Sequence, residues 1–131
     1  MISDNVAKRL DKDLIIWITT VRADGQPQSA PVWYVRDGDD IRIWSMDGQR
    51  ITNLRHNTRV SLHLNDDGRG DNIVIIEAEA SIDQSAGPGS AHPEFARRYQ
   101  PVLDSYQRTW DWFDRDYPVP LRIRPTRIRA W

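Results

Sequence analysis

Leu14-Ile15-Ile16-Trp17-Ile18-Thr19-Thr20-Val21, the tetrapeptide Ala23-Asp24-Gly25-Gln26 and the run Gln28 to Arg36 together decide the fold. The first stretch is β-branched and aromatic, too short for a membrane helix, and has the composition of a strand covered on both faces. Its Asp-Gly pair tolerates positive φ and turns the chain into a second strand, so the three pieces read as a hairpin. The pattern repeats at Asp37-Gly38-Asp39-Asp40, which leads into Ile41-Arg42-Ile43-Trp44-Ser45, an alternating, half-buried strand.

Working outward, Gly48 to Asn57 changes period. Ile51 and Leu54 share one face of a short amphipathic helix for which Asp47 is the expected N-cap. Val60 to Leu64 returns to alternation, and Ile73 to Ile82 follows a polar loop as a long neighbouring strand. After the Gly-, Pro- and Ser-rich linker Ser85 to Ser90, apolar residues recur at helical spacing from His92 to Asp116, with Pro101 expected to break that helix in two. The segment Val119 to Trp131 alternates through Leu121 and Ile123 and shifts parity by Ile128, which predicts a bulge at Pro125-Thr126. The expectation is a mainly β chain: one domain spanning 1–131 and six antiparallel strands, with a short helix after the third strand and a helical insertion before the last.

Composition narrows the chemistry. Lys and Arg number 18 against 19 Asp and Glu, a net charge of -1, so no overall field draws the chain to nucleic acid or an anionic membrane. Cysteine is absent, which excludes disulfides, thiolate nucleophiles and cysteine-bound metals. The charged stretch Met1 to Asp13 has no apolar run, so a cytoplasmic location is expected. His56, His63 and His92 lack helical zinc spacing, and Ser29, Ser45 and Ser61 lack a nucleophile-elbow context. The loop Asp66 to Asp71 lacks the spacing and terminal glutamate of a calcium loop and reads as a solvated turn. Its Arg69-Gly70-Asp71 tripeptide has no adhesion context. Six tryptophans in a chain of 131 residues are a surplus suited to a ligand platform or a subunit interface.

Chemistry concentrates in Ser45-Met46-Asp47-Gly48-Gln49-Arg50-Ile51-Thr52-Asn53-Leu54-Arg55, where a strand ends and a helix begins. Unpaired amides, a positive helix end and the forked guanidinium of Arg50 there suit a phosphate. The competing account has Arg50, Arg55 and Arg59 merely solvating a helix face.

The hairpin Thr19 to Tyr34, the segment Asn53-Leu54-Arg55-His56-Asn57-Thr58-Arg59-Val60-Ser61 and the tail Tyr117 to Trp131 resemble the pyridoxamine-phosphate-oxidase-like flavin- and deazaflavin-dependent oxidoreductases, in order and spacing across nearly the whole chain. The tail looks most like the branch associated with the deazaflavin coenzyme F420. The resemblance implies a split β-barrel working as a homodimer, with F420 or alternatively FMN bound in a groove that the partner subunit completes. Pro31, Val32 and Trp33 would face or edge the ring, and Ser45 and Met46 would approach the ribityl chain. Gln49, Arg50 and Ile51 would surround the phosphate, with Asn53 and Arg55 next in line. Family members usually carry lysine where this chain has Arg50, which keeps the charge and changes the reach. Trp33 and Trp44 fit barrel core or dimer interface as well as they fit the site.

On this reading the cofactor supplies hydride for a small conjugated substrate, and the protein positions the two and excludes water. The catalytic side chains are undetermined, though Tyr34 is one source for a proton. Two other classes compete. One is a cofactor carrier without turnover; the other is a nucleic-acid-binding barrel built on Arg122, Arg124, Arg127, Arg129 and Trp131, against which the net charge argues. No membrane partner is expected.

Overall fold

A computed structural model describes residues 1–131. Seven strands form one antiparallel sheet: β1 (Ile16–Val21), β2 (Pro27–Val32), β3 (Val35–Asp37), β4 (Asp40–Ser45), β5 (Arg59–His63), β6 (Val74–Ile82) and β7 (Val119–Ala130). Their order is β2-β1-β5-β6-β7-β4-β3, and the curled sheet is a split β-barrel. Four helices accompany it: α1 (Asp4–Lys12), α2 (Gln49–His56), α3 (Pro93–Ser105) and α4 (Trp110–Asp116). None of them is long and apolar enough to cross a membrane.

Alternation along the strands sends Ile16 and Ile18 of β1, Val60 and Leu62 of β5, Ile76 and Ala78 of β6, Leu121 and Ile123 of β7 and Ile41 and Ile43 of β4 to one inner face. Val6 and Leu10 of α1 and Ile51 and Leu54 of α2 close over them. At about 1.5–3 kcal/mol per buried aliphatic side chain, this face is the main stabilising term. A second, aromatic cluster of Val35, Trp44, Phe95, Tyr99 and Phe113 packs α3 and α4 against β3 and β4.

The expected six strands are seven because the run Gln28 to Arg36 breaks at Trp33-Tyr34. There the Tyr34 backbone N–H leaves the ladder and donates to Tyr99 Oη at 2.9 Å, and the chain crosses from one edge of the sheet to the other. The charged segment Met1 to Asp13 contains α1, capped by Ser3 Oγ, which accepts from Val6 N at 3.3 Å. The cap of α2 is Gly48, with no side-chain hydrogen bond, and not Asp47.

Pro101 does not break the insertion. It lies inside α3 on the exposed side, where water can reach the Arg97 carbonyl that loses its donor. The break comes after Tyr106, at Gln107 with φ of 55°, and Thr109 Oγ1 caps α4. The expected bulge is present: the β6–β7 register shifts between Glu77 and Ala78, which pair with Arg127 and Pro125 and skip Thr126.

The hinge between α1 and β1 is clamped from three sides. Arg98 Nη1 and Nη2 donate to the carbonyls of Asp11 and Asp13 at 2.6 and 2.8 Å, and Tyr99 Oη donates to Leu14 O at 2.6 Å. Tyr34 Oη lies 2.6 Å from both Leu10 O and Asp13 O, sharing one proton between them. Arg98 has a buried Nε without a partner, so its charge rests on carbonyls and on the faces of the Tyr34 and Tyr99 rings.

Candidate functional site

Four elements meet at a cleft of about 220 Å³. The end of β2 and its continuation supply Pro31, Val32 and Trp33; the end of β4 supplies Trp44, followed by Met46; α2 contributes Arg50 from its first turn. The opposite wall is Trp112 and Phe113 of α4 with Tyr117 at its C-terminal end. Trp33 is held in a near-parallel stack, with Tyr99 at 4.6 Å and Phe113 at 5.4 Å between centroids. Tyr117 extends the stack, 4.8 Å from Phe113.

Arg50 is the only charged residue lining this apolar surface. Its Nη1 donates to Ser45 Oγ at 3.0 Å, and Ser45 Oγ donates to Met46 O at 2.9 Å. No carboxylate lies within 4 Å of it, whereas Arg9, Arg22, Arg36, Arg42 and Arg122 each face an aspartate. Burial pulls the Arg50 guanidinium below the ordinary arginine value, with Tyr117 acting weakly in the opposite sense. A half-buried cation without an anion costs free energy that a bound anion would recover. At the α2 N-terminus the first amides with backbone partners outside the regular ladder are those of Ile51 and Thr52, both donating to Gly48 O at 3.1 Å.

A pyridoxamine 5'-phosphate oxidase family model matches residues 2–108. The chain belongs to this family. Among solved structures, a conserved hypothetical protein from Mycobacterium tuberculosis is similar at 26% identity and a TM-score of 0.75, covering all of this chain and 85% of that one. An F420 reductase is similar at 21% identity and 0.66, covering 92% of each chain. The heme storage protein HutZ from Vibrio cholerae is similar at 16% and 0.66, covering 99% of this chain and 95% of that one. No curated protein sequence matches.

Within this family member, the structure brings together Pro31, Val32, Trp33, Met46 and Arg50, and Ser45 braces Arg50 from behind. Four expected contacts fall elsewhere. Ile51 is fully buried in the barrel core, because the helix turns its apolar side away from the cleft. Asn53 is 1% exposed and spends its amide on Thr20 Oγ1 and Gln28 Oε1, both at 2.9 Å, tying α2 to β1 and β2. Gln49 donates to Asn53 Oδ1 at 2.8 Å, and Arg55 is exposed without lining the cleft. Sequence reasoning missed Trp112, Phe113 and Tyr117 as site residues, and Trp44 lines the cleft as well as the aromatic core. Tyr34 does not reach the cleft: it is fully buried, and burial pushes its phenol above the ordinary tyrosine value.

Three of the four arginines of β7 face carboxylates. Arg122 pairs with Asp40 at 2.7 Å, Arg124 with Glu79 at 3.5 Å and Arg127 with Glu77 at 3.9 Å. His63 stacks on Trp17, and His92 accepts from Phe95 N as the cap of α3.

Proposed function

We propose that this chain binds a flavin or deazaflavin phosphate at the Arg50 cleft and serves as an oxidoreductase acting on a small conjugated organic molecule. The observation that carries the reading is Arg50, withdrawn from solvent beside an aromatic and proline-lined surface with no carboxylate to neutralise it. The donor set fits the group: a guanidinium and helix N-terminus for phosphate, and an apolar shelf at Pro31-Val32-Trp33 for a planar ring. The cofactor, when bound, supplies hydride chemistry. The chain's residues bind and orient it, and the aromatic wall excludes water from the reacting face. The similarity in fold to an F420 reductase supports this reading, while that to a heme storage protein makes a non-catalytic carrier the alternative.

Coenzyme F420 is favoured over FMN. Its anionic tail would extend past the phosphate towards solvent, and the exposed Arg55 and Arg59, which have no carboxylate partners, are the cations that would meet it. Exposed ion pairs contribute about 0.2–1 kcal/mol each, so the preference is moderate and shrinks in salt. The test is a fluorescence titration with F420 and FMN at low and high ionic strength, followed by mixing reduced cofactor with a panel of enones and quinones. Tighter binding of F420 with turnover is expected. Tighter FMN binding at both salt concentrations would move the chain to the flavin branch, and binding of either without turnover would make it a carrier.

A further inference from the structure

With Tyr34 sealed beneath α1, the cleft needs another answer to where a proton comes from. Among the residues lining it, the indole N–H groups of Trp33, Trp44 and Trp112 and the guanidinium of Arg50 are all far too weak as acids to transfer a proton, and that of Trp44 is in any case spent on Gly87 O at 3.0 Å. Ser45, behind Arg50, gives its hydroxyl proton to Met46 O. Tyr117 remains. Its ring is stacked on Phe113 at 4.8 Å and 18° and edged by Trp112 at 5.8 Å and 75°, and its backbone N–H is anchored to Phe113 O at 2.8 Å. Tyr117 lines the same cleft as Arg50, and its hydroxyl makes no hydrogen bond within the chain. A rigid ring carrying a free hydroxyl is the form of a preorganised donor.

We infer that Tyr117 is the proton donor of this site, delivering its phenolic proton to the substrate atom on which hydride addition leaves negative charge. The inference rests on the reading of the cleft as a hydride-transfer site. In the balanced step, a C–H or N–H bond of the reduced flavin-type reductant breaks with its electron pair, and a new C–H bond forms at the electrophilic end of the conjugated system. The Tyr117 O–H bond then breaks and its proton passes to the resulting enolate. The substrate gains one hydride and one proton, and the reductant is oxidised by two electrons. The tyrosinate left beside the Arg50 cation takes a proton from water. The substrate class follows: planar molecules whose double bond is conjugated to an oxygen that can carry the charge, such as cyclic enones or quinones, small enough to reach Tyr117 in the cleft.

Tyr117→Phe keeps the ring stack and removes only the hydroxyl, so circular dichroism and cofactor affinity should match the parent chain. Two further readouts bear on the role. Reduction of 2-cyclohexenone in single turnover should slow by roughly 100-fold or more. In the oxidised, cofactor-loaded protein, 4-nitrophenolate, a planar oxyanion, should bind about tenfold more weakly to the variant, while its uncharged relative nitrobenzene binds the two proteins within about twofold. Normal cofactor binding with equal rates and equal 4-nitrophenolate affinity in the two proteins would overturn the role of Tyr117 alone. Failure of the parent chain to bind either cofactor would overturn the hydride-transfer reading, and this inference with it.

Discussion

Arg50 shows how a single side chain can be tuned by what is missing around it. The chain pairs most of its arginines with acids, and those pairs on the surface contribute little each. Arg50 is instead left with one hydroxyl, so its electrostatic demand is directed into the cleft. Arg50→Gln should therefore weaken cofactor binding by about 1.5–3 kcal/mol, roughly 10- to 150-fold, with the melting temperature held or raised. Isothermal titration beside a thermal melt checks both halves, and unchanged affinity would remove Arg50 from the site. Asp83 shows the opposite case. The Ser85 hydroxyl and then Arg42 hold its carboxyl down at about 2, against an ordinary 3.8. A depressed folded-state pKa means stability that is fully present above about pH 4 and is lost as pH falls through about 2. The gap in melting temperature between the parent chain and Asp83→Asn should thus close on acidification across that window. A gap that stays constant from pH 6 to pH 2 would contradict the assignment. Arg50 was legible from sequence because a strand-to-helix junction with an arginine in the first turn is a local pattern. Ile51 and Asn53 do not line the cleft, because adjacency along a helix is not adjacency in space: their side chains point to the core and to β1.

Among the elements, α4 is the wall on which the site depends, and it hangs on one glycine. A Cβ at Gly89, in the 3₁₀ turn Gly89–Ala91, would lie 2.8 Å from the Phe113 ring and 3.1 Å from that of Phe95. Gly89→Ala should cost about 1–3 kcal/mol by overpacking. Because Phe113 stacks on both Trp33 and Tyr117, the variant should also weaken binding in the cleft. Thermal melts and a cofactor titration read the two effects, and a variant as stable as the parent would show that Phe113 moves aside freely. The hairpin turns were readable because Asp24-Gly25 and Asp37-Gly38 encode left-handed backbone locally, with Gly25 at φ of 91° and Gly38 at 64°. The β7 bulge was readable from a parity shift within one strand. By contrast, α1 carries its signal in only two apolar residues, Val6 and Leu10 at i, i+4 beneath a charged face, easily passed over in so charged a segment, and Arg98, far along the chain, holds its C-terminal end. The break at Trp33-Tyr34 is written at Tyr99, 65 residues away, and no inspection of the Gln28 to Arg36 run could reveal it. The same distance hid Trp112, Phe113 and Tyr117, whose helical spacing is visible but whose facing direction is a tertiary outcome.

For the whole molecule, the cleft of about 220 Å³ is smaller than the roughly 300–1,000 Å³ of complete small-molecule sites. A second copy of the chain should complete it, and sedimentation at micromolar concentration should show a species of twice the 15.3 kDa chain mass. A single species at the chain mass would leave the cleft as a whole site and end that expectation. The strand order adds a statement about time. In β2-β1-β5-β6-β7-β4-β3 the hairpin of β3 and β4 joins the remaining strands only through β7, by pairings such as Ile41 with Ile123. During synthesis both edges of that junction therefore leave the ribosome long before the strand that unites them. A nascent chain halted before Val119 should hold two unjoined pieces of sheet with β4 and β6 open to stray pairing, and resistance to protease should arrive abruptly once the final strand is released.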